Sequence, residues 1–480
     1  MIQGPVSGGK RGYAFGRPLF DLKAHGYVEK EFFLSGTATS WQQAPGTAWD
    51  RDGRWQVQPK TNVPFKTRLI VYRPADAKRF NGTVLVSWNN VTAGYELFGG
   101  ESGEILEGGY AFVGATVQRV GVHGFPQNNQ GLAAWDPERY GSLSIPTDDA
   151  SFDIYTQVAR AVGTKRDRSG ADPLGGLDVR KVIALGASQS AARLSTYVNA
   201  IHPLARAFDG YLLQIYFGRG TPIEVGTAIR NVDWTTRFAS DALPATLREI
   251  GLFGDNLIRD DLDVPVMVVN SELEAVACHN VRQPDTDRYR YWESAGTSHT
   301  AKQTQDIRAA KYQREFGGTQ PVLDDMNRIP LTAYYDAAIH HMNRWVNGGE
   351  PPPRQPLIEF AGNPADVVRD AHGIAKGGVR LPQVEAPVAQ NSALLLEPSR
   401  GLLLRGSNRP FDAATLNSLY RDEADYRAKF TQAAQRAVQA GVILQRDVAP
   451  LLDEATREYA RALQGVAPPT REARAVAGPA

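Results

Sequence analysis

The chain has 480 residues, 42% hydrophobic and 22% charged, proportions that fit a globular protein with a large core and exclude a disordered or fibrous one. Lys plus Arg (53) and Asp plus Glu (52) nearly cancel, and no long basic stripe is present, so nucleic acid is not an expected partner. The single cysteine, Cys278, excludes an internal disulfide and a cysteine-based zinc cluster.

The N-terminus, MIQGPVSGGKRGYAFG, lacks the apolar stretch of a signal peptide, and no run approaches the roughly 20 apolar residues that span a bilayer. The expectation is a soluble, cytoplasmic protein. Within this segment GPVSGGK (4 to 10) matches the Gly and Lys spacing of a phosphate-binding loop. Arg11 stands where Ser or Thr is needed, however, and no strand precedes it, so nucleotide binding is not expected. Residues 1–65 read as a β-rich lead-in, with EFFLSGTATSW extended.

Three β-branched runs follow, TRLIVYRP (67 to 74), TVLVSW (83 to 88) and YAFVGATVQ (110 to 118), each bounded by turn residues and each predicted to be a buried strand. SFDIYTQVARAVG places Phe152, Tyr155, Val158 and Ala159 at helical spacing. KVIALGA is then a strand that runs straight into the Ala-rich helix SQSAARLSTYVNAI, and FDGYLLQIYF, DVPVMVVN and RYRYWES are further strand candidates. Strands alternating with helices predict an α/β fold with a mainly parallel central sheet flanked by helices.

Residues from about 217 to 260 contain no clear strand and are expected to form a helical lid, with Trp234, Phe238, Leu252 and Phe253 as its large apolar residues. TAYYDAAIHHMNRWVNGG reads as a closing helix. The core is thus drawn over 66–350, and after the linker GEPPPRQP the segment 351–480 is an extension packed on it.

The chemistry-bearing signal is Gly186-Ala187-Ser188-Gln189-Ser190, between a Val/Ile/Leu strand and a helix. A nucleophile elbow needs that sharp turn, and small neighbours let it form. Ser190 stands where glycine is usual. A serine hydroxyl also needs a base and an orienting acid, which in this fold follow in the order Ser, Asp or Glu, His. DVPVMVVNSELEA brings Glu272 and Glu274 to the end of one strand, and YRYWESAGTSHT brings His299 to the end of another. Glu274 is favoured for the acid by its distance past the strand, with Glu272 second. The other seven histidines are placed less well. The oxyanion would be met by the N–H of Gln189 and by the loop after TVLVSW, with Asn90 and Val91 nearest the turn. Asn81-Gly82-Thr83 and Asn90-Val91-Thr92 match glycosylation sequons that carry weight only on secretion. No His-Glu-x-x-His metal pattern occurs.

The chain resembles the α/β-hydrolase-domain proteins, mostly bacterial, whose elbow reads Gly-x-Ser-Gln-Ser. Matching segments include GPVSGG, GYVEKEFFLSGTA, WDPERYGSL, GASQSAARLSTYVNA, WESAGTSHT, RDAHGIAKGGVRLPQVEAPVA and GSNRPFDAATLNSLY, so the likeness covers nearly the whole chain. It implies a serine-hydrolase fold with a triad carried over as Ser188, Glu274 and His299. Similar proteins tend to show Glu-x-Asp where Glu272-Leu273-Glu274 stand here, which leaves the choice of acid open. The resemblance implies a serine-esterase-like activity on a small-molecule ester without naming the substrate, and no cofactor is expected; the large apolar lid residues suggest a small to medium apolar substrate, with ordinary lid packing as the equal alternative. Amide or lactone hydrolysis, acyl transfer, and a non-catalytic binding protein are the alternatives.

Overall fold

The computed structural model describes residues 1–224, 254–362, 366–393 and 403–465. Its centre is a nine-stranded sheet: β1 (Ile2–Gln3), β2 (Tyr27–Gln43), β3 (Val57–Pro74), β4 (Thr83–Trp88), β5 (Ala111–Ala115), β6 (Lys181–Ala187), β7 (Gly210–Gln214), β8 (Val266–Ser271) and β9 (Tyr289–Ser294). The spatial order is β1-β2-β3-β5-β4-β6-β7-β8-β9. From β5 to β9 all neighbours are parallel, whereas β1, β2 and β3 add an antiparallel edge.

Every run expected to be a strand is one. β3 runs through position 65, so the boundary drawn there between lead-in and core falls inside a strand, and β2 and β3 pair along most of their length. The lead-in is therefore continuous with the central sheet.

Side-chain alternation gives the sheet two apolar faces. Val71, Val84, Val86, Val113, Val182, Ala184, Leu213 and Val268 face one layer, covered by α1 (Ser151–Val162) and α2 (Gln189–Thr196). All four residues at helical spacing in α1, Phe152, Tyr155, Val158 and Ala159, are buried there. Ile70, Leu85, Phe112, Ile183, Leu212, Met267 and Val269 face the other layer. α3 (Glu272–Cys278) and α5 (Thr332–Val346) bury apolar residues in the core, α4 (Lys302–Phe316) packs Tyr312 and Phe316 against the first layer, and α5 packs so closely on β7 that a Cβ on Gly210 would lie 2.4 Å from Met342.

The C-terminal segment joins the second layer. Its helices α6 (Glu423–Gln439) and α7 (Val448–Leu463) place Tyr426, Phe430, Leu451 and Tyr459 in the same apolar cluster as the sheet. It also extends the sheet edge: Val379 donates to the Glu293 carbonyl at 2.7 Å and accepts from Ala295 at 3.0 Å. The residues expected as lid landmarks, Trp234, Phe238, Leu252 and Phe253, lie outside the described residues. No helix among the described residues is long and apolar enough to cross a membrane.

The phosphate-loop lookalike is used structurally. The amides of Lys10 and Arg11 donate to the Asp136 carboxylate at 3.1 and 2.9 Å, and Arg139 donates to the Gly8 carbonyl at 2.6 Å. Its backbone holds a carboxylate of its own chain.

Candidate active site

Ser188 sits where β6 turns into α2, with φ 60° and ψ −119°, a conformation that costs a non-glycine residue about 1–3 kcal/mol and persists only where its surroundings enforce it. Three features enforce it. The Ser188 amide donates to the Gln214 carbonyl on β7 at 3.0 Å. Gly186 leaves room for the helix, since a Cβ there would lie 2.7 Å from the Ser190 carbonyl oxygen and 2.8 Å from Leu194. Ser190 closes the turn, accepting from the Ala187 amide at 3.1 Å and donating to the Ala187 carbonyl at 2.8 Å. The serine in place of the usual glycine is thus a hydrogen-bonded brace.

The two glutamates stand in the first turn of α3 rather than in a loop. Ser271 caps that helix, its hydroxyl accepting from Leu273 at 3.2 Å while its amide donates to Glu274 Oε2 at 3.2 Å. Carboxylates are favoured at a helix N-terminus by the exposed amides and the macrodipole. Both side chains are fully buried, so neither is a solvated charge. Residues two apart on a helix project about 200° apart, and the pair accordingly faces different partners. Glu274 Oε1 lies 2.6 Å from His299 Nδ1. Glu272 instead accepts from the Gly296 amide at 2.7 Å and from Arg369 Nη2 at 2.7 Å.

His299 follows β9 in a buried loop. Asn327 donates to the Gly296 carbonyl at 2.8 Å, Thr297 donates to the Ser294 carbonyl at 2.8 Å, and Phe217 stacks on the imidazole with ring centres 5.3 Å apart. Arg369 and Phe217 were not singled out from sequence. Both reach the site through tertiary contacts, and only the RDAHG match hinted at the first.

Ser188 and His299 line one cavity of about 370 Å³, within the range of small-molecule sites, and no other histidine lines it. Trp88, Leu97, Phe98, Ile105, Phe112 and Ile339 form much of its apolar wall. His202 is bound to Tyr211 and Asp263, and His341 to the Gly441 carbonyl, so these are structural. Cys278 is buried and its thiol donates to the Tyr216 carbonyl at 3.0 Å; burial pushes that thiol well up, away from thiolate chemistry.

The loop after β4 departs from the expectation at Asn90 and Val91. The Asn90 amide donates to the Leu97 carbonyl at 2.9 Å, so that N–H is committed and unavailable to an oxyanion. Its side chain lines the cavity beside the elbow, Nδ2 donating to the Ala187 carbonyl at 3.0 Å. Val91 is buried and does not line that cavity. Gln189 opens α2, where a first-turn amide has no intrahelical acceptor.

A parallel sheet with an antiparallel edge, a strained serine at the end of a central strand, and a family model described as alpha/beta hydrolase domain matching residues 2–453 agree. The chain belongs to the alpha/beta hydrolase domain family. A search of curated proteins finds no match. Among solved structures, a prolyl endopeptidase is similar at 12% identity and TM-score 0.27, covering 56% of this chain and 35% of that one. Brefeldin A esterase, a bacterial homologue of human hormone sensitive lipase, has 10% identity and TM-score 0.24, covering 50% and 61%. A fungal esterase from Rhizomucor miehei has 11% identity and TM-score 0.26, covering 58% and 83%. This chain therefore spans less than two thirds of the first two, and the hydrolase assignment rests on the family match and the sheet itself.

Proposed function

We propose that this hydrolase cleaves a carboxylic ester through an acyl-enzyme on Ser188. The observation that carries the reading is the shared cavity of Ser188 and His299, with His299 held by buried Glu274 at 2.6 Å. In this reading the His299 Nδ1–H donates to Glu274, which leaves Nε2 as the base for the serine proton. Ser188 Oγ attacks the ester carbonyl, the alcohol leaves with that proton, and water assisted by the same imidazole releases the acid.

Charge on the tetrahedral oxygen needs donors in place. The Gln189 N–H supplies one. The second falls to the Asn90 carboxamide, because Asn90 has spent its backbone N–H on Leu97 and its Nδ2 already stands at the elbow. The apolar wall and the volume of about 370 Å³ suit a small to medium acyl or alcohol group.

The test is hydrolysis of a series of p-nitrophenyl esters by wild type, Ser188→Ala and His299→Ala, beside fluorophosphonate labelling. Labelling at Ser188, with loss of turnover in both variants, supports the reading. An unlabelled Ser188, or variants that match the wild type, sinks it.

A further inference from the structure

One face of α4 lines the same cavity with Thr304, Ile307, Arg308, Lys311, Tyr312 and Glu315. Most charges on the cavity wall are balanced. Lys311 is paired with Glu101, Glu315 with Arg314, and Glu96 with Arg68 at 2.9 Å. Arg308 has no carboxylate partner among the described residues; its Nη1 donates to the Thr300 hydroxyl at 3.3 Å, one residue along the chain from His299. Burial opposes its charge, and Arg405, itself without a carboxylate partner among the described residues, lies within electrostatic reach of it. An arginine does not release its proton to escape such a position.

Two tyrosines line the same cavity as Arg308. The Tyr335 hydroxyl is buried and without a hydrogen-bond partner, and Tyr335 lies within electrostatic reach of both Arg308 and Glu274. Tyr95 accepts from Gln320 Nε2 at 3.0 Å, which leaves its own O–H to donate, and it lies within electrostatic reach of Arg308. A guanidinium fork and two hydroxyl donors in the wall of a largely apolar cavity form a receptor for a planar anion.

We propose that Arg308, with Tyr335 and Tyr95, binds an ionised carboxylate carried by the substrate, so that the preferred ester is one bearing a second, free carboxyl group. The inference rests on the esterase reading of Ser188. A monoanion fits better than a phosphate dianion, because a single cation on the cavity wall stands unbalanced among the described residues.

The experiment compares matched neutral and anionic esters: p-nitrophenyl valerate with p-nitrophenyl hemiglutarate for a carboxylate on the acyl side, and phenyl acetate with 4-acetoxybenzoate for one on the alcohol side. The expected result is a preference of at least about tenfold in kcat/KM for the anionic member of one pair. Arg308→Gln should erase most of that preference, Arg308→Lys should retain part of it, and Tyr335→Phe, a variant with no folding cost in view, should weaken it several-fold. No preference in either pair, or a preference that survives R308Q, overturns the proposal while leaving the esterase reading intact if Ser188 still takes the fluorophosphonate. If no ester is cleaved, binding of glutarate by calorimetry decides: uptake lost in R308Q supports the anion site, and absence of uptake by the wild type overturns it.

Discussion

Glu274 Oε1 stands 2.6 Å from His299 Nδ1, and the two side chains are buried, at 0% and 4% exposure. Under the proposed mechanism such a carboxylate would fix the imidazole tautomer and balance the cation formed when the base takes a proton. Ser188→Ala and His299→Ala are each expected to lower kcat for a p-nitrophenyl ester by at least about a thousandfold, measured under saturating substrate. Glu274→Gln should cost about 10²–10⁴-fold, because the amide keeps the volume but no longer selects the productive tautomer. A Glu274→Gln variant with wild-type turnover would remove Glu274 from the mechanism.

Glu272 lies two residues away and does a different job. It joins the Gly296 amide to Arg369, which ties the loop carrying His299 to the C-terminal segment. Removing Arg369 leaves a carboxylate of 0% exposure without its cation, while Arg369 itself is 24% exposed. Arg369→Ala should therefore destabilise by roughly 2–3 kcal/mol, at or below the foot of the roughly 3–5 kcal/mol range for a fully buried pair because Arg369 is partly exposed. Urea unfolding reads this directly. A stability within about 0.5 kcal/mol of the wild type, the usual span of a surface change, would show that Glu272 is not held by Arg369.

Gly186 supports the elbow by its lack of a side chain. A Cβ there meets backbone at 2.7 Å, which has no flexible end to yield, so Gly186→Ala forces the turn apart. The expected cost is about 1–3 kcal/mol of stability, with a fall in kcat larger than that loss explains, since the Ser188 oxygen moves with the turn. A variant as active as the wild type would mean that the elbow tolerates the shift.

How much of this could be read beforehand depended on the range of the interactions. Strands such as Val182–Leu185 and the elbow after them are local patterns, and the order Ser188, Glu274, His299 follows from strand ends that are each visible in sequence. Distance past the strand end favours Glu274 but leaves Glu272 open; the helical first turn, which the strand pattern does not show, is what sends the two to opposite sides. Arg369 reaches Glu272 across 97 residues and Arg308 lies in a polar helix, so neither stood out. Several matching segments proved to touch one another: Asp136 and Arg139 of WDPERYGSL hold GPVSGGK, and Arg139 also pairs with Glu31 of GYVEKEFF at 2.6 Å. Such contacts are packing, which a linear pattern cannot distinguish from chemistry.

Asp336 lines the cavity on α5, and burial pushes its carboxyl up to about 7 against the hydrogen bonds of Ser102 and the Glu104 amide, with Asp447 adding to the rise and Arg446 opposing it. One of its oxygens, Oδ1, has no partner, as suits a protonated acid. A carboxyl raised in the folded state binds its proton more tightly there than in the unfolded chain, where it titrates near 3.9. Its contribution is thus fully present below about pH 4 and is lost as pH rises toward about 7, where the folded group also ionises. Asp336→Asn keeps an acceptor for the Glu104 amide, which donates to Oδ2 at 3.1 Å, but cannot ionise. The variant should therefore gain stability relative to the wild type between about pH 4 and pH 7 and hold a constant difference above, as read by urea midpoints across that window. A difference that does not change between pH 4 and pH 8 would mean that Asp336 ionises in the folded protein as it does in the unfolded chain.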